Sequence, residues 1–319
     1  MKTISHIQLR GGAKKMKSLT VLLITSLILS LFAAPDSSAQ EQPSCAKTNF
    51  QIVVPAKHAI KAARDNRSKT LKMLSEKQKI SAVSRNNNWY TVCISGKTGY
   101  TEAAGTSEVF SSKQLKLFSK IGRNKEVHQI LAVTGSKAAS VKVNMEAYEK
   151  VYGSWRRSLK VMKGVIGYNG FAGSKKEGDG KTPMGTFSFG PAFGSSAKPA
   201  GVTWPYKKTG AYDYWIDDTS SRDYNKWIHY KGNPQKRWHS FERMNHPLYK
   251  YGISINYNTN PIIKGKGSAV FLHVWRGENS RTAGCTATAE YNVRSILNWL
   301  DPKQNPRIFL GTTDYLEKL

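Results

Sequence analysis

The chain is poor in cysteine, and it offers no cluster of metal-ligating residues. Only three cysteines occur among its 319 residues, and its seven histidines are scattered along the sequence. No group of His, Cys, Asp or Glu has the short spacing that zinc sites use. The sequence therefore predicts neither a metal site nor an organic cofactor.

Long apolar segments are absent after the first 34 residues. Residues 1–39 combine three lysines between positions 14 and 17, an apolar stretch over 19–34, and the small residues Ser37-Ser38-Ala39. This is the pattern of a secretory signal peptide, and the apolar stretch is too short to span a bilayer. We therefore predict export to the periplasm or cell envelope, with no membrane span after signal cleavage.

The odd number of cysteines matters in an exported protein. An oxidising compartment allows disulfides to form and persist. Cys45 and Cys93 both lie in the N-terminal part of the chain and could bridge, or no disulfide forms at all. If they pair, Cys285 is left as a free thiol that needs an explanation.

Acidic residues are heavily outnumbered by basic ones. The chain has 49 Lys and Arg against 21 Asp and Glu, a formal net charge of +28. Such a charge favours polyanionic partners. In an exported protein these are carboxylates of peptidoglycan stem peptides or anionic envelope polymers, although an ordinary solvated surface explains the charge equally well. Nucleic acid is not expected, because no groove-reading motif is present.

The N-terminal part contains short segments of strand-like composition separated by turn residues. The patterns S-R-N-N-N-W-Y-T-V at 84–92 and G-K-T-G-Y-T at 96–101 resemble the bacterial Src-homology-3-like domain. That resemblance implies a small β-barrel over 46–105 that attaches wall enzymes to peptidoglycan, with a purely structural spacer as the alternative. We predict a linker over 106–126, a second domain over 127–319, and a short helix or loop over 145–152.

The most informative segment places a histidine and a cysteine twelve residues apart. His273 ends an apolar run, and Cys285 lies in the turn Thr282-Ala283-Gly284-Cys285. The apolar spacing of Val293, Ile296, Leu297 and Leu300 predicts a helix shortly afterwards. We therefore expect Cys285 just before a helix N-terminus, where the helix dipole favours a thiolate, with His273 as its base and the Gly284 and Cys285 amides as oxyanion donors.

Several motifs occur in one order around this pair. They are D-G-K-T-P-x-G-x-F at 179–187, D-D at 217–218, Y-N at 224–225, S-x-E-x-M at 240–244, G-x-G-S-A-x-F-x-H at 265–273 and T-A-G-C at 282–285. This order resembles the L,D-transpeptidase catalytic domain, in the branch with a plain T-A-G-C turn. The resemblance implies Cys285 as nucleophile, His273 as general base, and a mainly β fold: the small N-terminal β-barrel, then a β-sandwich domain with a few helices.

One departure from the better-known branch of that family concerns substrate binding. Ala287 stands where that branch has an arginine after the cysteine, so Arg281 or Arg276 could supply the missing cation. The predicted substrate-binding residues are Thr282, Arg281, Glu242, Asn225 and Trp238.

The resemblance implies an acyl-enzyme on Cys285 formed with peptidoglycan stem peptides. Transfer of the acyl group to an amine cross-links or modifies the wall, whereas transfer to water makes a carboxypeptidase or endopeptidase. A third hypothesis is a non-catalytic wall-binding envelope protein whose thiol is inert.

Overall fold

A computed structural model describes Cys45 and residues 50–54, 56–86 and 88–318. The predicted signal peptide, 1–39, lies outside the described residues. Among the described residues, no helix is long and apolar enough to cross a membrane.

Seven short strands near the N-terminus form one sheet in the order β3-β2-β6-β5-β4-β1-β7. Ser95 and Gly96 both have positive φ, 48° and 76°, as the twist of a two-residue hairpin turn between β5 and β6 requires. Ile52, Ile60 and Tyr90 are fully buried on one face of this sheet. The strands are β1 (Phe50–Val53), β2 (His58–Lys61), β3 (Thr70–Leu74), β4 (Lys79–Asn86), β5 (Trp89–Ile94), β6 (Lys97–Glu102) and β7 (Ser107–Val109).

A disulfide holds the start of the described chain to this sheet. It joins Cys45 to Cys93 of β5, with a Cα–Cα distance of 5.4 Å. Cys285 is the free cysteine and is buried.

Eight strands of the following region close into a barrel in the order β9-β11-β21-β20-β19-β14-β22-β8, because β8 also pairs with β9. The mainly β fold with few helices is therefore confirmed. The barrel strands are β8 (Gln129–Gly135), β9 (Lys142–Val151), β11 (Met162–Val165), β14 (Gly185–Gly194), β19 (Gly252–Ile255), β20 (Phe271–Val274), β21 (Thr286–Thr288) and β22 (Arg307–Thr312).

Shorter elements decorate the barrel. β10 extends the β9 hairpin, β15 pairs with β14, β12 pairs with β13, and β16 lies between β17 and β18 in a separate three-stranded sheet. Their bounds are β10 (Ser154–Arg157), β12 (Phe171–Ala172), β13 (Thr182–Pro183), β15 (Tyr206–Lys208), β16 (Asp213–Trp215), β17 (Trp227–His229) and β18 (Glu242–Arg243). The helices are α1 (Ser112–Ile121), α2 (Glu290–Trp299) and α3 (Tyr315–Lys318), with 3₁₀ turns at Pro234–Lys236, Pro247–Tyr249 and Pro302–Gln304.

The barrel has separate apolar layers on its two faces. Leu272 of β20 belongs to the main core, together with the predicted apolar face of α2. Phe271, its neighbour on β20, belongs to a second cluster with Trp215 and Cys285. Because successive strand residues point to opposite faces, β20 contributes to both layers. The nucleophile candidate lies in the second layer, beneath the three-stranded sheet.

Two predicted segments differ in the structure. Residues 145–152, predicted as a helix or loop, mostly continue β9, where Met145, Ala147 and Tyr148 are buried. Residues 106–126, predicted as a linker, contain β7 and α1. β7 pairs with β1, and α1 begins with a capping box in which Ser111 and Gln114 bond reciprocally.

A buried ion pair joins the N-terminal sheet to the barrel region. Glu108 of β7 accepts hydrogen bonds from the Tyr90 hydroxyl at 2.9 Å, from the Arg157 amide at 3.0 Å and from Arg157 Nη1 at 3.1 Å. The Glu108 side chain has no exposed surface, and that of Arg157 is 8% exposed. The Arg157 guanidinium also stacks on Phe50 and Phe110.

Substitution Arg157→Met should lower the free energy of unfolding by about 3–5 kcal/mol, because it leaves a buried carboxylate without its cation. Urea unfolding measures the loss, with Arg156→Met on the same strand as the control. The double variant Glu108→Gln/Arg157→Met should recover most of the stability. A loss below about 1 kcal/mol in the single variant would contradict a structural role for the pair.

Candidate active site

His273 and Cys285 are brought together by two adjacent parallel strands. β20 and β21 pair with His273 opposite Ala287 and Leu272 opposite Thr286, so Cys285 lies beside the start of β20. Both residues line one cavity of about 360 Å³. The other residues of its wall are Glu242, Arg243, His246, Leu248, Tyr249, Trp275, Arg276, Ser280, Arg281, Thr282, Ala283 and Ala287.

The prediction that Cys285 precedes a helix is wrong. It precedes β21, and α2 begins only at Glu290. The β-branched Thr286 and Thr288 pair with β20, and Thr288 pairs also with β11. The helix dipole acts mainly within the first turn of a helix, so it does not explain an activated thiol here.

The Cys285 side chain is held as a buried thiol. The residue is 8% exposed, and its Sγ donates a hydrogen bond to the carbonyl of Ala269 at 3.2 Å. Burial raises the pKa of this thiol well above its usual range, and the nearby carboxyl of Glu242 raises it further. The backbone of Phe271 and the ammonium of Lys175 oppose the shift. At neutral pH the Cys285 thiol is therefore protonated.

His273 has one ring nitrogen committed to the backbone. Its Nδ1 lies 2.8 Å from the carbonyl oxygen of Val274. A carbonyl can only accept, so Nδ1 carries the proton and Nε2 is the basic nitrogen. Burial lowers the pKa of His273 to about 4, although backbone groups of Val274 and Leu248 oppose this shift. The imidazole is therefore neutral and able to receive a proton.

Thr282 organises the turn that carries the nucleophile. Its hydroxyl donates to the Cys285 carbonyl at 2.6 Å and accepts from the Gly284 amide at 3.2 Å. The Gly284 amide, predicted as an oxyanion donor, is thus engaged within the turn, and the Cys285 amide remains the candidate. Gly284 has φ +150°, and a Cβ there would lie 2.9 Å from the Lys181 carbonyl oxygen, so the position requires glycine.

The D-G-K-T-P motif braces the same turn from outside the cavity. The Thr182 hydroxyl accepts from the Gly167 amide at 3.0 Å and donates to the Gly284 carbonyl at 2.7 Å. From sequence this motif indicates only a tight turn. Its contact with Gly284 spans about a hundred residues, and no local pattern signals it.

Lys175 is a functional candidate that sequence reasoning missed. It is 5% exposed and forms an ion pair with Asp179 at 2.7 Å. A Cβ on Gly284 would lie 3.5 Å from its Nζ, so its ammonium sits directly behind the nucleophile turn. An isolated lysine in a loop gives no sequence signal. Here its charge favours the thiolate form of Cys285.

Glu242, which the sequence analysis predicted to bind substrate, lines the cavity. It accepts a short hydrogen bond from the Tyr249 hydroxyl, and the Tyr249 ring packs edge-on against the His273 ring at 5.2 Å. Burial raises the pKa of Glu242 to about 7, and the charges of Asp217 and Glu177 add to the shift. It is therefore a proton-titrating group beside the pair at neutral pH.

The other predicted substrate residues divide into two groups. Arg281 and Thr282 line the cavity, together with Arg276. Asn225 and Trp238 do not, because both are buried elsewhere, at 4% and 2% exposure. All polar atoms of the Asn225 side chain are hydrogen-bonded within the protein, and Trp238 Nε1 donates to Asp223 at 3.0 Å. Their placement contradicts direct substrate contact.

Residues 139–309, more than half of the chain, match the family of the L,D-transpeptidase catalytic domain (YkuD). The chain belongs to the L,D-transpeptidase family. The matched region begins between β8 and β9 and ends in β22, so it contains both His273 and Cys285. Members of this family act on peptidoglycan peptides.

One solved structure is similar to this chain over part of its length. It is the helical cell shape determining protein Pgp2 from Campylobacter jejuni, with 16% identity and a TM-score of 0.32, over 63% of this chain and 55% of that one. The chain thus spans about half the length of that protein. No curated protein matches the chain.

Side chains suited to a metal are not grouped in the part of the chain that the structure describes. No set of three or more His, Cys, Asp and Glu in those residues could hold a metal ion. The chemistry of the described site is that of a thiol, an imidazole, a carboxyl and surrounding cations.

The lowered pKa of His273 predicts a specific dependence of stability on pH. An unfolded histidine titrates near about 6.5, so the folded protein loses stability as the pH falls from that value through about 4. Between pH 7 and about pH 4.5 this loss should be about 2–3 kcal/mol. Urea unfolding of the wild type and His273→Gln at both pH values measures it.

Between these two pH values the wild type should lose about 2–3 kcal/mol more of its free energy of unfolding than His273→Gln loses. The opposite contribution of Glu242 is present in both proteins and cancels in the comparison. Equal losses in the two proteins would show that His273 is not held neutral by burial.

Removing the Lys175 charge should make the Cys285 thiol harder to ionise. We expect Lys175→Met/Asp179→Asn, which removes the ion pair without leaving a lone charge, to slow alkylation by iodoacetamide about 3- to 10-fold at pH 9. The exposed neighbour Lys176→Met is the matched control. An unchanged rate would mean that the ammonium does not act on the thiol.

Proposed function

We propose that this protein is an exported cysteine peptidoglycan L,D-transpeptidase that forms an acyl-enzyme on Cys285. The observation that carries the proposal is the placement of a free thiol, directly before β21, and a neutral imidazole, on the adjacent strand β20, in one cavity. Nucleophile and base in one cavity are what acyl transfer through a thioester requires.

The neutral state of both groups fits a concerted proton transfer. As Sγ attacks the carbonyl of the third stem residue, its proton passes to His273 Nε2. The carbon–sulfur bond forms, the amide bond to the terminal D-alanine breaks, and the protonated imidazole returns the proton to the leaving amine. An acceptor amine then attacks the thioester and loses its proton to Nε2. The new amide bond forms, the carbon–sulfur bond breaks, and the protonated imidazole returns the proton to the departing sulfur, which restores the thiol.

The cations of the cavity support an anionic, peptide-like substrate. Arg276 and Arg281 line the wall beside the nucleophile, and Arg243 adds a third guanidinium. Guanidinium groups bind carboxylates through paired N–H donors. We propose that Arg281 and Arg276 supply the contact to the substrate carboxylate that the position of Ala287 cannot provide.

One feature outside the cavity supports an envelope location. The disulfide between Cys45 and Cys93 suits an oxidising compartment. We also propose that the N-terminal sheet is a Src-homology-3-like wall-binding domain, distinct from a catalytic domain over 127–319, and that residues 1–39 are its export signal.

The buried, protonated state of the Cys285 thiol also favours a second candidate function, that of a non-catalytic wall-binding protein. Cys285 is buried and its pKa is raised, as an inert cysteine's would be. The two candidates differ in whether any covalent intermediate forms with a stem peptide.

Incubation of the purified protein with tetrapeptide muropeptides, followed by mass spectrometry, separates these candidates. We expect dimers that lack one D-alanine, no product with Cys285→Ala, and about 10²- to 10⁴-fold less product with His273→Gln, because the general base is lost. Arg123→Gln, exposed in the turn between α1 and β8 and outside the cavity, is the control.

Three other outcomes would each lead to a different conclusion. Cysteine-dependent tripeptides without dimers would indicate a carboxypeptidase. Products that persist in Cys285→Ala would contradict the proposed nucleophile. A folded wild type that forms neither product nor thioester would favour the binding protein.

A further inference from the structure

We infer that Asn225 is a positioning residue for the nucleophile, acting through the backbone of Ala269. This inference rests on the proposed function for its turnover readout. Its chemical readout, the reactivity of the Cys285 thiol, does not depend on that function. Asn225 lies 60 residues from Cys285 in the chain, outside the cavity wall.

The first link is the contact between the thiol and Ala269. Cys285 Sγ donates to the Ala269 carbonyl at 3.2 Å, which fixes the direction of the S–H bond in the resting protein. The orientation of that carbonyl therefore decides where the thiol points. It also stabilises the protonated form of the sulfur, because a carbonyl can bond only to a thiol and not to a thiolate.

The second link is the conformation of Ala269. It has φ +52°, in the left-handed region that residues with a Cβ rarely adopt. Such a conformation persists only where surrounding contacts enforce it. Gly267 and Ser268 precede it, and β20 follows at Phe271, so Ala269 redirects the chain just before the strand that carries His273.

The third link is the amide side chain that enforces this conformation. Asn225 Oδ1 accepts from the Ala269 amide at 3.2 Å and from Trp215 Nε1 at 2.9 Å. Its Nδ2 donates to the carbonyls of Tyr257 at 3.2 Å and Asn258 at 2.7 Å. Four contacts to three separate segments leave the amide no freedom to rotate.

Trp215 connects this bracket, by which we mean the Asn225 side chain and its four hydrogen-bond partners, to β20, the strand that carries His273. Its indole ring packs edge-on against the Phe271 ring at 4.9 Å, two residues before His273. Asn225 itself has φ +57°, which asparagine tolerates better than most residues. The connection Asn225–Ala269–Cys285 therefore joins a rigid buried amide to the sulfur atom through a hydrogen bond at each step.

Asn225→Gly tests the inference, because glycine accepts the left-handed backbone while the bracket is removed. We expect kcat to fall about 10- to 100-fold with KM within about twofold, because the thiol is misplaced but the cavity wall is intact. We also expect faster alkylation of Cys285, about 3- to 10-fold at pH 8, because the thiol loses a fixed acceptor.

The other charged or titratable groups around the thiol stay in place in this variant. They are Glu242 on β18, Tyr249 in the following 3₁₀ turn, His273 on β20 and Lys175 in the loop before β13. Asn305→Gly is the matched control, because Asn305 is a left-handed asparagine at φ +45°, remote from the cavity.

Trp215→Phe is the second variant, in case Asn225→Gly does not fold. It removes one of the four bonds that hold the amide, so we expect changes of the same sign but smaller size. Slower turnover with faster alkylation supports the inference. If both rates fall together, or if alkylation stays at the wild-type rate in a folded variant, Asn225 serves the fold only and the inference is overturned.

A wild type that forms no peptide product, together with faster alkylation of Cys285 in Asn225→Gly than in the wild type, would be a separate result. In that case the bracket would stand and the proposed function would fail.

Discussion

The parallel pairing of β20 with β21 is the constraint on which the site depends. A parallel partner requires the chain to leave the end of β20 and return to its start. The eleven residues 275–285 make this return, and they include Arg276, Arg281 and Thr282. Since Cys285 comes beside Phe271 in register, and Phe271 and His273 share one face, the thiol and the imidazole also share that face. A shift of one residue would move His273 into the barrel interior.

The outer position of the pair explains its electrostatics. The face that holds Cys285 is covered by Trp215, Met244 and Tyr249, so water is largely excluded. Exclusion of water disfavours both a thiolate and an imidazolium, and the two groups rest in their neutral forms. The same low-dielectric surroundings strengthen the influence of nearby full charges. Lys175 and Glu242 act on the thiol with opposite sign, so proton uptake by Glu242 near neutral pH makes ionisation of Cys285 easier.

The sequence predicted the parts of this structure that local pattern encodes. The mainly β fold, the buried face of α2 and the L,D-transpeptidase motifs follow from composition, periodicity and motif order. The strand at Thr286–Thr288 could not be separated from the helix that follows, because only its pairing with β11 and β20 makes it a strand. The roles of Lys175 and Thr182 could not be predicted for the same reason, because their contacts with Gly284 span about a hundred residues. Asn225 was selected from a motif, but it is buried outside the cavity and its side chain is hydrogen-bonded to Ala269, Trp215 and the 257–258 backbone, which no local pattern signals.

Unusual backbone geometry is concentrated around Cys285, and the hydrogen bonds to it indicate that the surrounding structure enforces it. Ala269, Asn225 and Gly284 all have positive φ, and each is bonded to a different part of the chain. The Ala269 amide is held by Asn225, and the Gly284 carbonyl by Thr182. A left-handed residue with a side chain costs on the order of 1 kcal/mol, so without such cross-links the loops would relax. The proposed attack of Cys285 on a carbonyl carbon needs a thiol whose position is fixed to a fraction of an ångström, and the separate cross-links from Asn225 and Thr182 give the surrounding loops a support that cannot relax.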